Sequence, residues 1–192
     1  VNKKSGVVTH IAPGNYTGTL QNGLYFKYPE LSEVPRTGII HRLDKDTSGL
    51  LVVCRNLASH NYLSKQLQEK KFTKIYHALI TRCIDKPIVV EEPIGRHPIN
   101  RKKMSIHING RHAVSKIKPL TMFKKTTHVE VELITGRTHQ IRVHLSYLNN
   151  PVIGDSMYGF KKTFFTKDLN ISNTIDPVFS QYLHAYSLSF RD

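Results

Sequence analysis

The chain has 192 residues, 39% hydrophobic and 22% charged, a balance ordinary for a soluble globular protein that excludes collagen-like, mucin-like and acidic disordered classes. Twenty-eight Lys and Arg against fourteen Asp and Glu leave a formal charge of +14 before any of the eleven His is protonated. Such a field draws polyanions, nucleic acid first and an anionic membrane surface second. At roughly 150 residues per domain the length predicts one domain. The start on Val1 rather than Met, and the close on Ser189-Phe190-Arg191-Asp192 inside an alternating pattern, read as a domain trimmed from something longer. Cys54 and Cys83 each sit in an apolar stretch, which predicts buried reduced thiols and a reducing compartment. No run reaches the roughly 18 apolar residues of a membrane span, and no hydrophobic signal segment follows Lys3-Lys4, so a cytoplasmic protein is expected.

Val1 to Pro35, punctuated by glycine and proline, predicts edge structure with one helical turn around Leu20–Leu24. Gly38-Ile39-Ile40 and Leu50-Leu51-Val52-Val53 have strand composition, and they enclose a polar island from His41 to Gly49. Asn56 to Lys71 reads as an amphipathic helix carrying Leu57, Leu63 and Leu67, with Asn56 or Ser59 as its cap. Strands are predicted within Phe72–Ile84 and at Ile88–Val90, followed by a turn at Glu91-Glu92-Pro93. Val129 to Leu133 alternates strictly, the pattern of a half-buried strand, and ends at Thr135-Gly136. A helix capped by Thr138 follows, with Ile141, Leu145 and Leu148 at helical spacing until Asn149-Asn150-Pro151. Strands interleaved with two helices predict an α+β architecture around a mostly antiparallel sheet.

Two constellations invite chemistry. In the island, Arg42, Asp44, Lys45 and Asp46 crowd four charges into five positions. A carboxylate beside a guanidinium stays ionised at neutral pH, which suits a nucleophile or a general base; equally, Asp44 or Asp46 could cap the turn before Thr47-Ser48-Gly49. In Thr135 to His144, a turn entering a helix would present Arg137 and the first helical N–H groups to an anion, or to Asp44. The competing reading makes Arg137 and the histidines ordinary turn residues, with His144 tucked against a neighbouring element. His139 and His144, five apart, would point about 140° from each other on a helix, which disfavours a metal site. Asp44 and Asp46 stand too close in one tight loop for a glycosidase pair, whose carboxyls straddle roughly 5 Å or more. Neither a phosphate-binding glycine loop nor a hydrolase elbow is spelled out. Basic clusters at Lys70-Lys71, Arg101-Lys102-Lys103, Lys124-Lys125 and Lys161-Lys162 have aromatics close by, including Phe72, Tyr76, Phe123, Tyr158 and Phe160. Each alone is a solvated face; with the +14 charge they favour RNA.

The string from Gly38 to Val53, with its core His41-Arg42-Leu43-Asp44-Lys45-Asp46, resembles the catalytic signature of the RluA/RluD family of pseudouridine synthases. Lys74-Ile75-Tyr76-His77-Ala78-Leu79 and Leu133 to His144 are similar to the family's next two blocks, and the resemblance continues through Asn150–Asp155, Tyr158-Gly159 and Leu183–Tyr186. Near the start, His10-Ile11 departs from the His-Pro common in relatives.

The resemblance implies a pseudouridine synthase fold: a mixed, mostly antiparallel central sheet flanked by helices and loops, with the active-site cleft across it. It also implies one catalytic domain over 1–192, without the amino-terminal S4 domain common in the family. The implied reaction isomerises uridine to pseudouridine in RNA, with no metal and no cofactor. Asp44 would be the catalytic aspartate, Tyr76 would stack on the flipped base, and Arg137 would pair with Asp44. Arg42 would fill the space left by the extruded nucleotide or contact its phosphate. His41, Lys74, Thr138, Arg142, Arg101, Lys102 and Lys103 are the further expected RNA contacts. The RluD branch points to large-subunit ribosomal RNA or a precursor particle as partner, with no membrane, and to a monomer. A silent RNA-binding module and a surface polyanion binder are the alternatives, separated from the enzyme by tritium release from uracil-labelled RNA.

Overall fold

The computed structural model describes residues 1–161 and 180–191. They fall into two compact units: Val1–Ile75 with the closing segment from His184, and the described residues from Tyr76 to Leu183.

The first unit opens with β1 (Asn2–Lys3) and reaches α1 (Leu20–Lys27), where Thr19 and Asn22 form a reciprocal capping box. The sequence predicts one turn there; the cap lets the helix run for eight residues. Two 3₁₀ turns, Pro29–Glu33 and Pro35–Gly38, lead into the polar island. The two strands predicted around that island are reduced to a bridge between Ile39 and Val53, while β2 forms at Ser48–Leu50, partly inside it. The reason is the backbone before it. Arg36, Thr37 and Gly38 all have positive φ (53°, 55° and 75°), a left-handed turn that leaves only Ile39 free to pair. After α2 (Leu57–Gln68), whose cap is Asn56 accepting from the Ser59 N–H, the chain enters β3 (Thr73–Thr81), within which the two units divide. In this unit β1 pairs antiparallel with β2, and β2 pairs parallel with β9 (Leu183–Ser189). A small core of Cys54, Leu63 and Phe72 takes in Ile40, Val52, Leu67 and Leu188.

In the second unit the strand order is β3-β8-β7-β4, with β4 at Ile88–Glu91, β7 at Val114–Met122 and β8 at Thr126–Leu133. The β7/β8 and β4/β7 pairings are antiparallel, so the sheet strands are mixed but mostly antiparallel, and the α+β class holds. The alternation of β8 is fully expressed: Thr127, Val129, Val131 and Leu133 are buried and the residues between them are not. In β7 the register shifts between Pro119 and Thr121, where proline lacks the N–H a regular ladder requires. α3 (Gln140–Tyr147) lays Ile141 and Leu145 onto the core of Ala78, Ile80, Val90, Ile117, Val129 and Val131. A separate antiparallel hairpin, β5 (Ile94–Arg96) and β6 (Met104–Ile106), packs with Ala113, Val143 and Tyr158.

Three expectations are corrected. Glu91 continues β4 rather than starting the turn. Of the cysteines only Cys54 is buried; Cys83 is exposed, just past the left-handed Arg82 that turns the chain at the end of β3. Thr138 does not cap α3. His139 does, in the left-handed conformation (φ 56°) and without a side-chain capping bond, while the Gln140 side chain receives the Arg137 N–H of the preceding turn at 2.9 Å.

Candidate active site

In the first unit the island carrying His41, Arg42 and Asp44 is held largely through its own backbone, whose carbonyls take bonds from side chains and N–H groups around it. Two glycines bracket it. Gly38 (φ 75°) lies so close to Cys54 that a Cβ would strike the Cys54 carbonyl, and a Cβ on Gly49 (φ 112°) would strike the backbone of Ala185, its partner across β2 and β9. Only glycine permits both the conformation and the approach. Cys54 N–H donates to the Gly38 carbonyl at 2.9 Å, and Thr47 N–H donates to the Asp44 carbonyl at 3.2 Å, closing the turn. From the N-terminal segment, Thr9 Oγ1 donates to the Leu43 carbonyl, Gly6 N–H to the Lys45 carbonyl and Ser5 Oγ to the Asp46 carbonyl. Ser48 Oγ meets His184 Nδ1 at 2.8 Å.

Beneath the loop lies a cation that the sequence does not announce. Lys3 is 2% exposed, and its ammonium spends all three donors on the carbonyls of Lys4 (3.0 Å), Val7 (2.8 Å) and Lys45 (2.9 Å). Burial lowers its pKa, while the charges of Asp46 and Asp44 pull it back up, so the two carboxylates and the buried ammonium share one field. A charge 42 residues away in sequence leaves no local pattern by which to find it.

His41 serves the loop rather than solvent. Its Nε2 accepts the Val52 N–H at 2.9 Å, which requires that nitrogen to be unprotonated. Burial first, then the charges of Lys74, the N-terminus and His10, lower its pKa to about 4. Arg42 is exposed, Asp44 half-buried and Lys74 half-buried. The structure thus gathers His41, Arg42 and Asp44 on one rigid loop and brings the charge of Lys74 to bear on it.

In the second unit Tyr76 is partly buried in β3 against the sheet core. Arg137 is half-buried, its Nε donating to the His112 carbonyl at 2.9 Å, and burial together with Arg111 lowers its pKa. Its turn rests on side chains. Gln140 accepts from Thr135 Oγ1 and from Arg137 N, and donates to the Val114 carbonyl and to Ser115 Oγ. Ser115 Oγ meets His144 Nδ1 at 2.9 Å, and His144 Nε2 donates to the Glu92 carbonyl at 3.1 Å. Burial lowers the His144 pKa, as suits a neutral imidazole that accepts at one nitrogen and donates at the other. His144 is therefore the tucked-in residue of the plainer reading. Thr138 is exposed beside Arg137.

Arg101, Lys102 and Lys103 occupy the loop joining β5 and β6. His97 Nδ1 shapes that loop by accepting the N–H groups of Ile99 and Asn100, and Arg96 donates to the Arg101 carbonyl. Arg101 and Lys102 are exposed and Lys103 half-buried. Arg142, expected among the RNA contacts, is instead a buried strut. Its Nε and Nη2 grip the two oxygens of Asp155 at 2.6 and 2.9 Å, and its guanidinium stands 4.7 Å from the centre of the Tyr158 ring. Tyr158 extends this network, its hydroxyl accepting the Met104 N–H and meeting His139 Nδ1 at 2.7 Å. Of the basic clusters, Lys71 is paired with Glu69 at 2.6 Å, and Lys162 lies outside the described residues. Among the described residues no group of three or more His, Cys, Asp and Glu could hold a metal ion, and no helix is long and apolar enough to cross a membrane.

The sequence model described as RNA pseudouridylate synthase matches residues 1–147, so the chain belongs to the RNA pseudouridylate synthase family. Among curated relatives, the ribosomal large subunit pseudouridine synthase D of Pseudomonas aeruginosa is 45% identical over 159 residues, covering 83% of this chain and 50% of that protein. The protein of the same name from Neisseria meningitidis is 44% identical over 192 residues, covering 99% of this chain and 51% of that protein. The chain thus spans about half the length of these relatives. Among solved structures, human RNA Pseudouridylate Synthase Domain Containing 1 is similar with a TM-score of 0.74 and 29% identity, over 98% of this chain and 72% of that one. Human RNA Pseudouridylate Synthase Domain Containing 4 shares the fold, with a TM-score of 0.71 and 23% identity over 98% and 79%.

Proposed function

We propose that the chain, acting as one catalytic domain over 1–192, isomerises specific uridines to pseudouridine in large-subunit ribosomal RNA. The observation that carries this reading is the Asp44 loop, whose sequence resembles the family's catalytic signature and whose backbone path is locked by Gly38, Gly49 and Lys3. The reaction breaks the bond from uracil N1 to the ribose, turns the base and joins its C5 to the same sugar carbon. The proton lost from C5 is balanced by one gained at N1. Asp44, ionised, either attacks the ribose or stabilises the detached intermediate. Because a stacked base must be swung out before a protein carboxylate can reach its sugar, a cost of a few kcal/mol falls on the exposed cations and on Tyr76 as the stacking partner.

Arg137, oriented by the His112 carbonyl, is the proposed guanidinium partner of Asp44. Arg42, with Lys74, Thr138 and the Arg101–Lys103 loop, provides the proposed RNA contacts, and Arg142 is assigned to structure. A charge of +14 supports a polyanionic partner, ribosomal RNA or a precursor particle, met in the cytoplasm by a monomer. The test is tritium release from total RNA labelled at uracil C5, followed by mapping of the modified positions. Release with sites in large-subunit RNA is expected; tight RNA binding without release would leave a silent binding module.

A further inference from the structure

Outside the aspartate and its partners, two buried side-chain nitrogens in the described part of the first unit make no hydrogen bond, His60 Nδ1 on α2 and His10 Nε2 near the loop, and only the second adjoins the island. His10 Nε2 is shut off from solvent and makes no hydrogen bond. Native interiors seldom tolerate such an atom unless a ligand or a small rearrangement satisfies it.

The neighbours of His10 are arranged with some care. Gln21 reaches both sides of it, accepting the Ile11 N–H at 3.1 Å and donating to Thr37 Oγ1 at 3.4 Å, while Gln21 N–H donates to the Thr9 carbonyl at 3.1 Å. These bonds draw the segment around His10 to the left-handed turn that carries Arg36. On the other side Thr9 Oγ1 is tied at 2.8 Å to the carbonyl of Leu43, the residue between Arg42 and the Asp44 position, which draws the His10 segment to that stretch of the loop. Arg36 and Arg42 are both exposed on long flexible stems. Burial first, then the charges of Arg36 and Arg42, lower the His10 pKa and so favour the neutral imidazole. A neutral imidazole carries a single N–H. With that proton on Nε2 it is a donor in search of an acceptor, and both arginines beside it are donors only.

We propose that His10, Arg36 and Arg42 form a phosphate-binding subsite for the RNA backbone next to the uridine held at Asp44, with His10 Nε2–H as its inner donor. An anion is the species that satisfies all three groups at once, and two exposed guanidiniums can shift to admit it. The subsite adds His10 and Arg36 to the machinery and rests on the synthase reading. It would fix the backbone on one side of the target and so set how far the nucleotide can swing.

The test uses the full chain and two single-stranded oligoribonucleotides carrying one uridine. One is natural; the other has neutral methylphosphonate linkages on both sides of that uridine. Wild type should bind the neutral version about tenfold more weakly, the scale of one lost charge-assisted contact. In His10→Ala and in Arg36→Asn, chosen because asparagine accepts the left-handed backbone, natural RNA should bind about fivefold more weakly, on the same scale. The penalty for the neutral linkages should shrink by about threefold. His10→Gln keeps an N–H at similar reach and should restore that penalty. Equal penalties in wild type and in every variant overturn the subsite. Tritium release by wild type is scored separately. Release with equal penalties sinks the subsite alone, whereas coupled penalties without release sink the synthase reading and leave the phosphate site standing.

Discussion

The Asp44 loop and the Arg137 turn each present one charged side chain, and they are built in opposite ways. The loop is fixed at its own main chain: two glycines press against neighbouring backbone, and the loop carbonyls are gripped from outside by the side chains of Lys3, Thr9 and Ser5 and by the Gly6 N–H. The turn is fixed by side chains, with Gln140, Ser115 and His144 relaying bonds from the Arg137 N–H to the Glu92 carbonyl. A main-chain scaffold specifies a path without specifying most of the residues on it. A side-chain relay fails when any single member is replaced, because the others are left buried and unpaired.

The sharpest way to break the first region is Gly49→Ala, which puts a Cβ into the backbone of Ala185 at a φ of 112°. A loss of about 4 kcal/mol or more in denaturant unfolding is expected, with the soluble fraction falling accordingly. In the second region Arg142→Ala leaves the 2%-exposed Asp155 carboxylate without its partner, and should cost about 3–5 kcal/mol. Arg142 and Asp155 replaced together by apolar residues of similar volume should recover much of that loss, and failure to recover would point to a role beyond structure.

A pH experiment separates the regions more finely. His41 has a folded pKa of about 4 against about 6.5 unfolded, so the unfolded chain takes up the proton first as pH falls. The His41 contribution is fully present above pH 6.5 and is lost progressively down to about pH 4, roughly 3 kcal/mol in all. Urea unfolding at pH 7 and pH 4 should show most of this loss in wild type and a smaller one in His41→Gln. The smallest effect expected is from Gln140→Ala, which takes the acceptor from the Thr135 hydroxyl and the Arg137 N–H and one donor from Ser115 Oγ, and should cost about 2 kcal/mol.

What the sequence makes legible follows the same division. Local devices are readable: the Asn56 cap, the alternation of β8, and the charged island itself. Long-range ones are not. Lys3 meets Lys45 across 42 positions, and Asp155 meets Arg142 through a fold no periodicity describes, so the first leaves no sign in the sequence and the second reads as an RNA contact. Thr138 looks like a cap because threonine is a good one, yet the N-cap falls on the left-handed His139, which makes no side-chain capping bond. Ile39 and Ile40 look like a strand, but three left-handed residues ahead of them leave a single bridge.

Asp44→Asn is the most direct test of the central claim, since it removes one charge from a side chain of nearly the same shape and leaves the bonds to the loop carbonyls from Lys3, Thr9, Gly6 and Ser5 in place. With the full chain and total RNA labelled at uracil C5, the variant should release no tritium above background while its affinity for that RNA stays within about twofold, the scale of surface substitutions. Pseudouridine formed by the Asp44→Asn variant at a rate near wild type would contradict the account.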